Sequence, residues 1–262
     1  MLKNKMKAIQ LSALAIAVTG AMGSTQAVAE IDVSASVAIS NLYLFRGIDL
    51  GEGRGMVSGD LIASSNGFYG GVWATSGDKA NGSEYDLFVG YATEIEGVSV
   101  DINVTNYMYS GWDAGDSFGD YTEIFLNVGY GPFSVDYQVN VADGSYSSAD
   151  TESAKMAGLS GFQYIAFNAT FKQYTATLGF ADVNDYDESK PLNTDDESDL
   201  YVGKVGVDYT HLDISYAYND NLTFTVSQII DQDEIQLIGS SKKYKNRDDD
   251  MLFVLSYSLP ID

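Results

Sequence analysis

Apolar and polar positions alternate with a period of two along almost the whole chain. In "SVDYQVNVAD", Val135, Tyr137, Val139 and Val141 alternate with Ser134, Asp136, Gln138 and Asn140. In "GVSVDINV", Val98, Val100, Ile102 and Val104 alternate with Ser99, Asp101 and Asn103. Tyr85, Leu87, Val89 and Tyr91 share one face of "EYDLFVGYA", and Met251, Phe253, Leu255, Tyr257 and Leu259 share one face of "DMLFVLSYSLP". Successive side chains of a strand point to opposite faces, so each segment predicts a strand with one apolar and one polar side. Short links at 65–67, 94–97, 130–132, 172–173 and 219–221 alternate with longer ones, roughly 47–54, 76–83, 110–119, 144–160, 183–199 and 232–249. Eleven links join twelve strands.

One stretch tests that count. "LYVGKVGVDYTHLDISYAYN" carries apolar residues at odd positions up to Tyr209 and at even positions from Leu212. A turn at Thr210-His211 would make thirteen strands. No glycine, asparagine or proline marks one there, although tight hairpins need such residues. A β-bulge shifts the phase without a turn and keeps the even count expected of bacterial single-chain barrels.

A soluble sandwich and a membrane barrel both use this alternation. Strands of about 10 residues suit a tilted bilayer crossing. Links of alternating length, aromatic residues near strand ends and a polar face rich in Ser, Asn, Asp, Gly and Thr also favour the barrel, with its apolar face turned to lipid. Glycines at 70, 71, 90, 129, 179, 203 and 206 suit a strongly curved sheet. The fold class expected is all-β, a single antiparallel transmembrane barrel of about 12 strands with short periplasmic turns and long outer loops.

Composition and charge narrow the picture. Residues 1–29 begin with Lys3, Lys5 and Lys7, continue through an apolar stretch from Leu11 to Met22, and end Ala27-Val28-Ala29. That pattern is a secretory signal peptide cleaved after Ala29, which leaves residues 30–262 as the outer-membrane barrel. The leader holds three lysines and no acid, so its loss takes the charge of −23 to −26. Nucleic acid is excluded as a partner, because binding it needs clustered Lys and Arg. With no cysteine, thiol chemistry and disulfides are excluded. An aromatic content of 13% separates the chain from disordered acidic sequences.

Little here points to catalysis. His211 is the one histidine, placed at the expected bulge and read as a polar surface residue. Ser215 lies four residues along the same strand, ~13 Å away, too far for a hydrogen bond. The acidic run "DVNDYDESKPLNTDDESD" fails the calcium-loop pattern, since the sixth position from Asp182 is Asp187 rather than glycine. It reads as solvated loop, with divalent bridging to lipopolysaccharide as the sharper reading. "GEGRG" precedes no helix, so it is not a dinucleotide loop. No cofactor or metal is expected.

The segment "VAISNLYLFRGIDLGEG…SGDLIASSNGFYGGVWATSG", Val37 to Gly77, resembles the TorF family of porin-type proteins. The likeness rests on Ser40, Tyr43, Phe45, Arg46 and Gly47 in an S-x-x-Y-x-F-R-G pattern, and on Gly67, Phe68, Tyr69, Gly71 and Trp73 in G-F-Y-x-G-x-W. It is strong over about 37–110 and rests beyond that on repeating hairpins. The chain departs from many outer-membrane barrels at its end, "SYSLPID", where Leu259 stands in place of a terminal phenylalanine.

Strand phase then assigns the lumen. With Tyr43 and Phe45 facing lipid at the end of the first strand, Arg46 faces inward and "GIDLGEG" forms the loop above it. Asp60, Asp86, Asp101, Asn103, Asp136, Gln138 and Asn140 join Arg46 as expected pore-lining residues. The expected function is passive diffusion of small polar solutes, leaning toward cations because acids outnumber Arg46, with outer-membrane lipid and lipopolysaccharide as surroundings. Alternatives are a non-conducting structural or surface-recognition barrel, in which Arg46 and the acids form a salt-bridged plug, and a lipid-modifying enzyme using His211.

Overall fold

The computed structural model describes residues 31–110, 119, 121–143, 162–182, 201–202, 208–237, 243–245 and 247–261. Residues 1–29, expected to be a signal peptide, and the acidic links at 144–160 and 183–199 lie outside these residues. Twelve strands form a closed antiparallel barrel. They are β1 (Asp32–Ser40), β2 (Met56–Ser65), β3 (Phe68–Asp78), β4 (Gly82–Ile95), β5 (Val98–Tyr109) and β6 (Tyr121–Tyr130). The second half comprises β7 (Phe133–Asp143), β8 (Gln163–Phe171), β9 (Tyr174–Asp182), β10 (Tyr209–Ala217), β11 (Leu222–Gln232) and β12 (Leu252–Ile261). Each strand pairs with its neighbours in sequence, and β1 closes the ring on β12 from Ala35↔Ile261 to Ser40↔Ser256. Closure leaves no open edge, the condition for spanning lipid with strands.

The short turns follow from local chemistry. Asn66-Gly67 (φ 51° and 87°) and Glu96-Gly97 (φ 53° and 83°) are two-residue turns with both central residues left-handed. That is the type I′ geometry whose twist matches paired strands. The links β2–β3, β4–β5, β6–β7, β8–β9 and β10–β11, together with both ends of the barrel chain, gather at one end, here the short-turn end. The other links gather at the loop end.

The two faces obey the alternation. Val57, Leu61, Val89, Ile102, Phe253 and Leu255 point outward and are exposed, while Ser58, Asp86, Asn103, Thr105, Thr225 and Ser227 point inward and are buried. Phe68, Tyr130, Phe133, Phe171, Tyr174 and Tyr218, all exposed, ring the outside at the short turns. Phe68–Tyr91 and Tyr174–Tyr216 contact across strands with centroids 4.7 and 5.0 Å apart. This is an aromatic girdle of the kind that sits where bilayer meets water.

Four details differ from the sequence reading. The link between β3 and β4 is only Lys79-Ala80-Asn81, because both strands extend toward it. The bulge does fall at Thr210/His211, but the extra residue is Ile230 on β11: Thr210 pairs with Asp231 and His211 with Ile229. The β10 alternation therefore runs unbroken, and Tyr209 points inward with His211, Asp213 and Ser215. Finally, β12 continues through Pro260 to an exposed Ile261, so Leu259 is not its last outward apolar residue.

Candidate functional site

The first strand does not carry Tyr43 to Arg46. It stops at Ser40, and Asn41 takes over the edge of β12, donating from Nδ2 to Phe253 O and accepting from Leu255 N. With that edge satisfied by a side chain, the backbone is free to leave the wall. Residues 42–50 turn into the lumen as a small hairpin, pairing Leu44 with Asp49 and Phe45 with Ile48. Leu50 N donates to Tyr43 O at 2.8 Å. Arg46 and Gly47 form its tip, with φ 51° and 80°, a further type I′ turn. A non-glycine residue in that region costs roughly 1–2 kcal/mol, so the surroundings of Arg46 must hold it there. Asp49 accepts from Gly51 N and Gly53 N, which closes the return to β2. Leu42 and Leu44 pack on Val254 and Leu252 of β12, while Ile48 packs on the cluster of Tyr164, Ala166, Ala181, Tyr209 and Ile229 across the lumen.

Tyr43 and Phe45 accordingly do not face lipid. Tyr43 is buried, its hydroxyl donating to Glu84 at 2.8 Å and its ring 6.0 Å from that of Trp73. The alternation of "LYLFR" mimics a strand end because a small hairpin has the same local period of two. Burial, reinforced by the Glu84 charge, holds the Tyr43 phenol well above its ordinary value.

The hairpin tip reaches the far wall. Arg46 Nη1 and Nη2 donate to Glu123 Oε1 and Oε2 at 3.0 and 2.5 Å, a two-pronged pair in which the Glu123 side chain is 0% exposed. Tyr107 and Tyr121 donate to the same carboxylate at 2.9 and 3.2 Å. The guanidinium lies 4.8 Å from the Phe162 ring and 5.3 Å from the Tyr164 ring, with Phe45 of its own hairpin at 4.4 Å. Burial pulls the Arg46 pKa down, but Glu123 together with Tyr107 and Tyr121 more than offsets it and the net shift is upward. A pair taken from water needs this geometry: a matched fork, two further donors and ring faces in place of solvent.

His211 is not a surface residue. It is 1% exposed, with Nδ1 2.9 Å from Asp213 and Nε2 2.8 Å from the Tyr164 hydroxyl. Its ring floors the plug: a Cβ placed on Gly47 would come within 2.5 Å of His211 Cγ. Ser215, fully buried, hydrogen-bonds Thr225 and does not meet the imidazole.

All eight sequence-assigned residues project into the lumen, at two levels. Arg46, Asp86, Asn103, Gln138 and Asn140 are buried at or near the plug. Among the described residues Asp86 Oδ1, Gln138 Oε1 and both amide atoms of Asn140 meet no partner. Asp60, Asp101 and Asp136 are only half-buried, Asp101 and Asp136 near the short turns and Asp60 at the middle of β2. Ser36 donates to Asp60, Tyr69 to Asp101 at 2.7 Å, and Asn127 and Asn168 to Asp136. The lumen is thus a polar cup at the short-turn end, stoppered toward the loop end.

The residues the sequence reading did not single out are Glu84, Glu123, Tyr107, Tyr109, Tyr121 and Tyr164. Strand phase places each inward: Glu84 shares the face of Asp86, and Glu123 alternates with outward Ile124 and Leu126. No local pattern pairs Glu123 with Arg46, 77 positions away. Among the described residues no cluster of His, Asp or Glu is placed to hold a metal ion.

A family model described as a bacterial protein of unknown function (Gcw_chp) matches residues 24–228. No curated protein matches the chain. Among solved structures, one from work on the in-meso crystallization of membrane proteins aligns with a TM-score of 0.51 at 11% identity, covering 87% of this chain and 83% of that one. The KdgM porin aligns at 0.41 and 8% identity, covering 88% and 99%. Outer membrane phospholipase A from Escherichia coli aligns at 0.39 and 11% identity, covering 86% and 88%.

Proposed function

The chain belongs to the Gcw_chp family of bacterial proteins, and we propose that it is an outer-membrane, porin-type barrel for small polar solutes, closed at rest by its own first link. The observation that carries this reading is the two-level lumen. Its short-turn half is lined by Asp101 and Asp136 together with hydroxyls and amides, with Asp60 at mid-height, a polar wall suited to water. Its loop-end half is stoppered by a hairpin held by side-chain contacts rather than by the barrel ladder. The outward apolar belt and the girdle at the short turns support placement in a bilayer, with lipid and lipopolysaccharide around it. Residues 1–29 serve export, and the Ser40–Gly47 and Gly67–Trp73 likeness to the TorF family supports the porin assignment.

Carboxylates on the cup wall give the open lumen a preference for cations. The second reading, a non-conducting barrel, draws on the full burial of Glu123, Ser215 and Ser227 inside the barrel. Planar-bilayer recording separates the two. The native protein is expected to show rare or small openings. A variant with residues 42–50 replaced by a short Gly/Ser link is expected to show discrete, cation-preferring conductance. A folded variant that stays silent sinks the pore reading.

A further inference from the structure

The contacts around Arg46 describe a receptor as much as a latch. Every group that recognises the guanidinium, apart from Phe45, belongs to the barrel wall or lies beside β8: Glu123, Tyr107, Tyr121, Phe162 and Tyr164. They would stay in place if the hairpin left. A carboxylate held by two tyrosine hydroxyls presents a fixed fork, and two ring faces flank it. That combination fits a flat cation with two parallel N–H donors, and fits a spherical ion or a simple ammonium less well.

Two further observations point to a ligand. Among the described residues only the two terminal nitrogens of Arg46 are bound, while its buried Nε meets no partner. Recognition is therefore of the end of the group, whatever tail carries it. Among the described residues Asp86 on β4, buried, has Oδ1 unpartnered, and Glu84 beside it accepts from the hydroxyls of Tyr43 and Tyr109. Even with Arg46 in place, neither acid has a cation of its own among the described residues. The neighbourhood of Glu123 favours positive charge beyond what the hairpin brings.

We infer that the lumen holds a binding site for guanidinium- or amidinium-bearing solutes at Glu123, and that Arg46 is its tethered occupant in the closed state. A solute arriving through the acidic cup competes with Arg46 for the same fork, so the passenger and the plug exclude each other. The inference rests on the pore reading for the solute's route, but the site itself can be tested without conduction.

Arg46→Ala protein is unfolded in urea and refolded into detergent micelles with methylguanidinium present, so that no passage through the barrel is needed. The readout is the temperature at which the folded, heat-modifiable gel band is lost. At ten times its dissociation constant the ligand raises that temperature by roughly 3–6 °C. The native protein, whose site is filled, does not shift. The neutral isostere N-methylurea has no effect, methylammonium has a smaller one, and R46A combined with E123Q is indifferent to all three. If R46A folds poorly, recovery of the folded band with methylguanidinium and not with N-methylurea is the same result. An R46A protein that ignores methylguanidinium, or a response that survives E123Q, overturns the site. R46A that is stabilised by the ligand yet silent in bilayers overturns the pore reading and leaves the site standing.

Discussion

Replacing Gly47 by alanine tests whether the hairpin is a separable plug. Gly47 sits at φ 80°, and a Cβ there would lie 2.5 Å from His211 Cγ, 2.6 Å from His211 Cβ and 2.9 Å from Nδ1. His211 has nowhere to retreat, because Asp213 and the Tyr164 hydroxyl hold its two nitrogens and the ring is 1% exposed. The left-handed conformation costs an alanine roughly 1–2 kcal/mol, and forcing a methyl into a packed site typically costs about 1–3 kcal/mol more. Together these shift the seated-to-released balance by roughly 30-fold to several thousandfold, at about 1.4 kcal/mol per decade. Gly53→Ala is the matched control. It shares a positive φ of 81°, but its Cβ meets nothing within 4 Å, so it isolates backbone strain from the clash. Single-channel recording is expected to show G47A open far more often than native protein or G53A, with all three giving the same heat-modifiable band. G47A that opens no more often than G53A would refute the plug argument. G47A that loses the folded band would show that the hairpin is part of the barrel's core.

Other outcomes follow from the same contacts. Glu123→Gln leaves Arg46 charged and buried without its counter-ion, and should destabilise the closed barrel by about 3–5 kcal/mol; R46A combined with E123Q should cost less than the separate losses added, read by a double-mutant cycle of urea midpoints. Tyr43 should make stability fall as pH rises. Its phenol is held protonated in the fold above the ordinary value of about 10, so its contribution is complete below that pH and is lost as the folded-state pKa is approached. The alkaline slope of the urea midpoint should be shallower in Tyr43→Phe, and an unchanged slope would count against it. Val89, outward and 61% exposed, should tolerate leucine, whereas Val89→Arg should cost about 2–4 kcal/mol at mid-membrane depth. Equal tolerance of both in refolding into lipid vesicles would mean that this face does not meet hydrocarbon.

The barrel itself was legible along the chain because its determinants are local. Alternation of Val135, Tyr137 and Val139 with Asp136, Gln138 and Asn140 assigns two faces whatever the neighbouring strand is. Asn66-Gly67 and Glu96-Gly97 mark turns by their own backbone preferences. Phase alone placed Asp86, Asp101 and Asn103 inward, and the missing turn signal at Thr210-His211 located the bulge level. Which strand carried the extra residue was not local: Ile230 is displaced because of its pairing with β10, and β10 shows no trace of it.

The first link marks the boundary between the two kinds of information. "LYLFRG" has the alternation of a strand, and only the satisfaction of the β12 edge by the Asn41 side chain releases it from the wall. Arg46 is inside, as its charge demands, but it meets Glu123 from 77 residues away, on the opposite side of a ring whose closure no single segment encodes. His211, read as a surface residue, becomes the floor of the plug for the same reason. A period of two decides which way a side chain points from its own strand. What waits at the other side of the lumen is decided by the curvature and closure of twelve strands, so the wall was written in the sequence and its stopper in the tertiary structure.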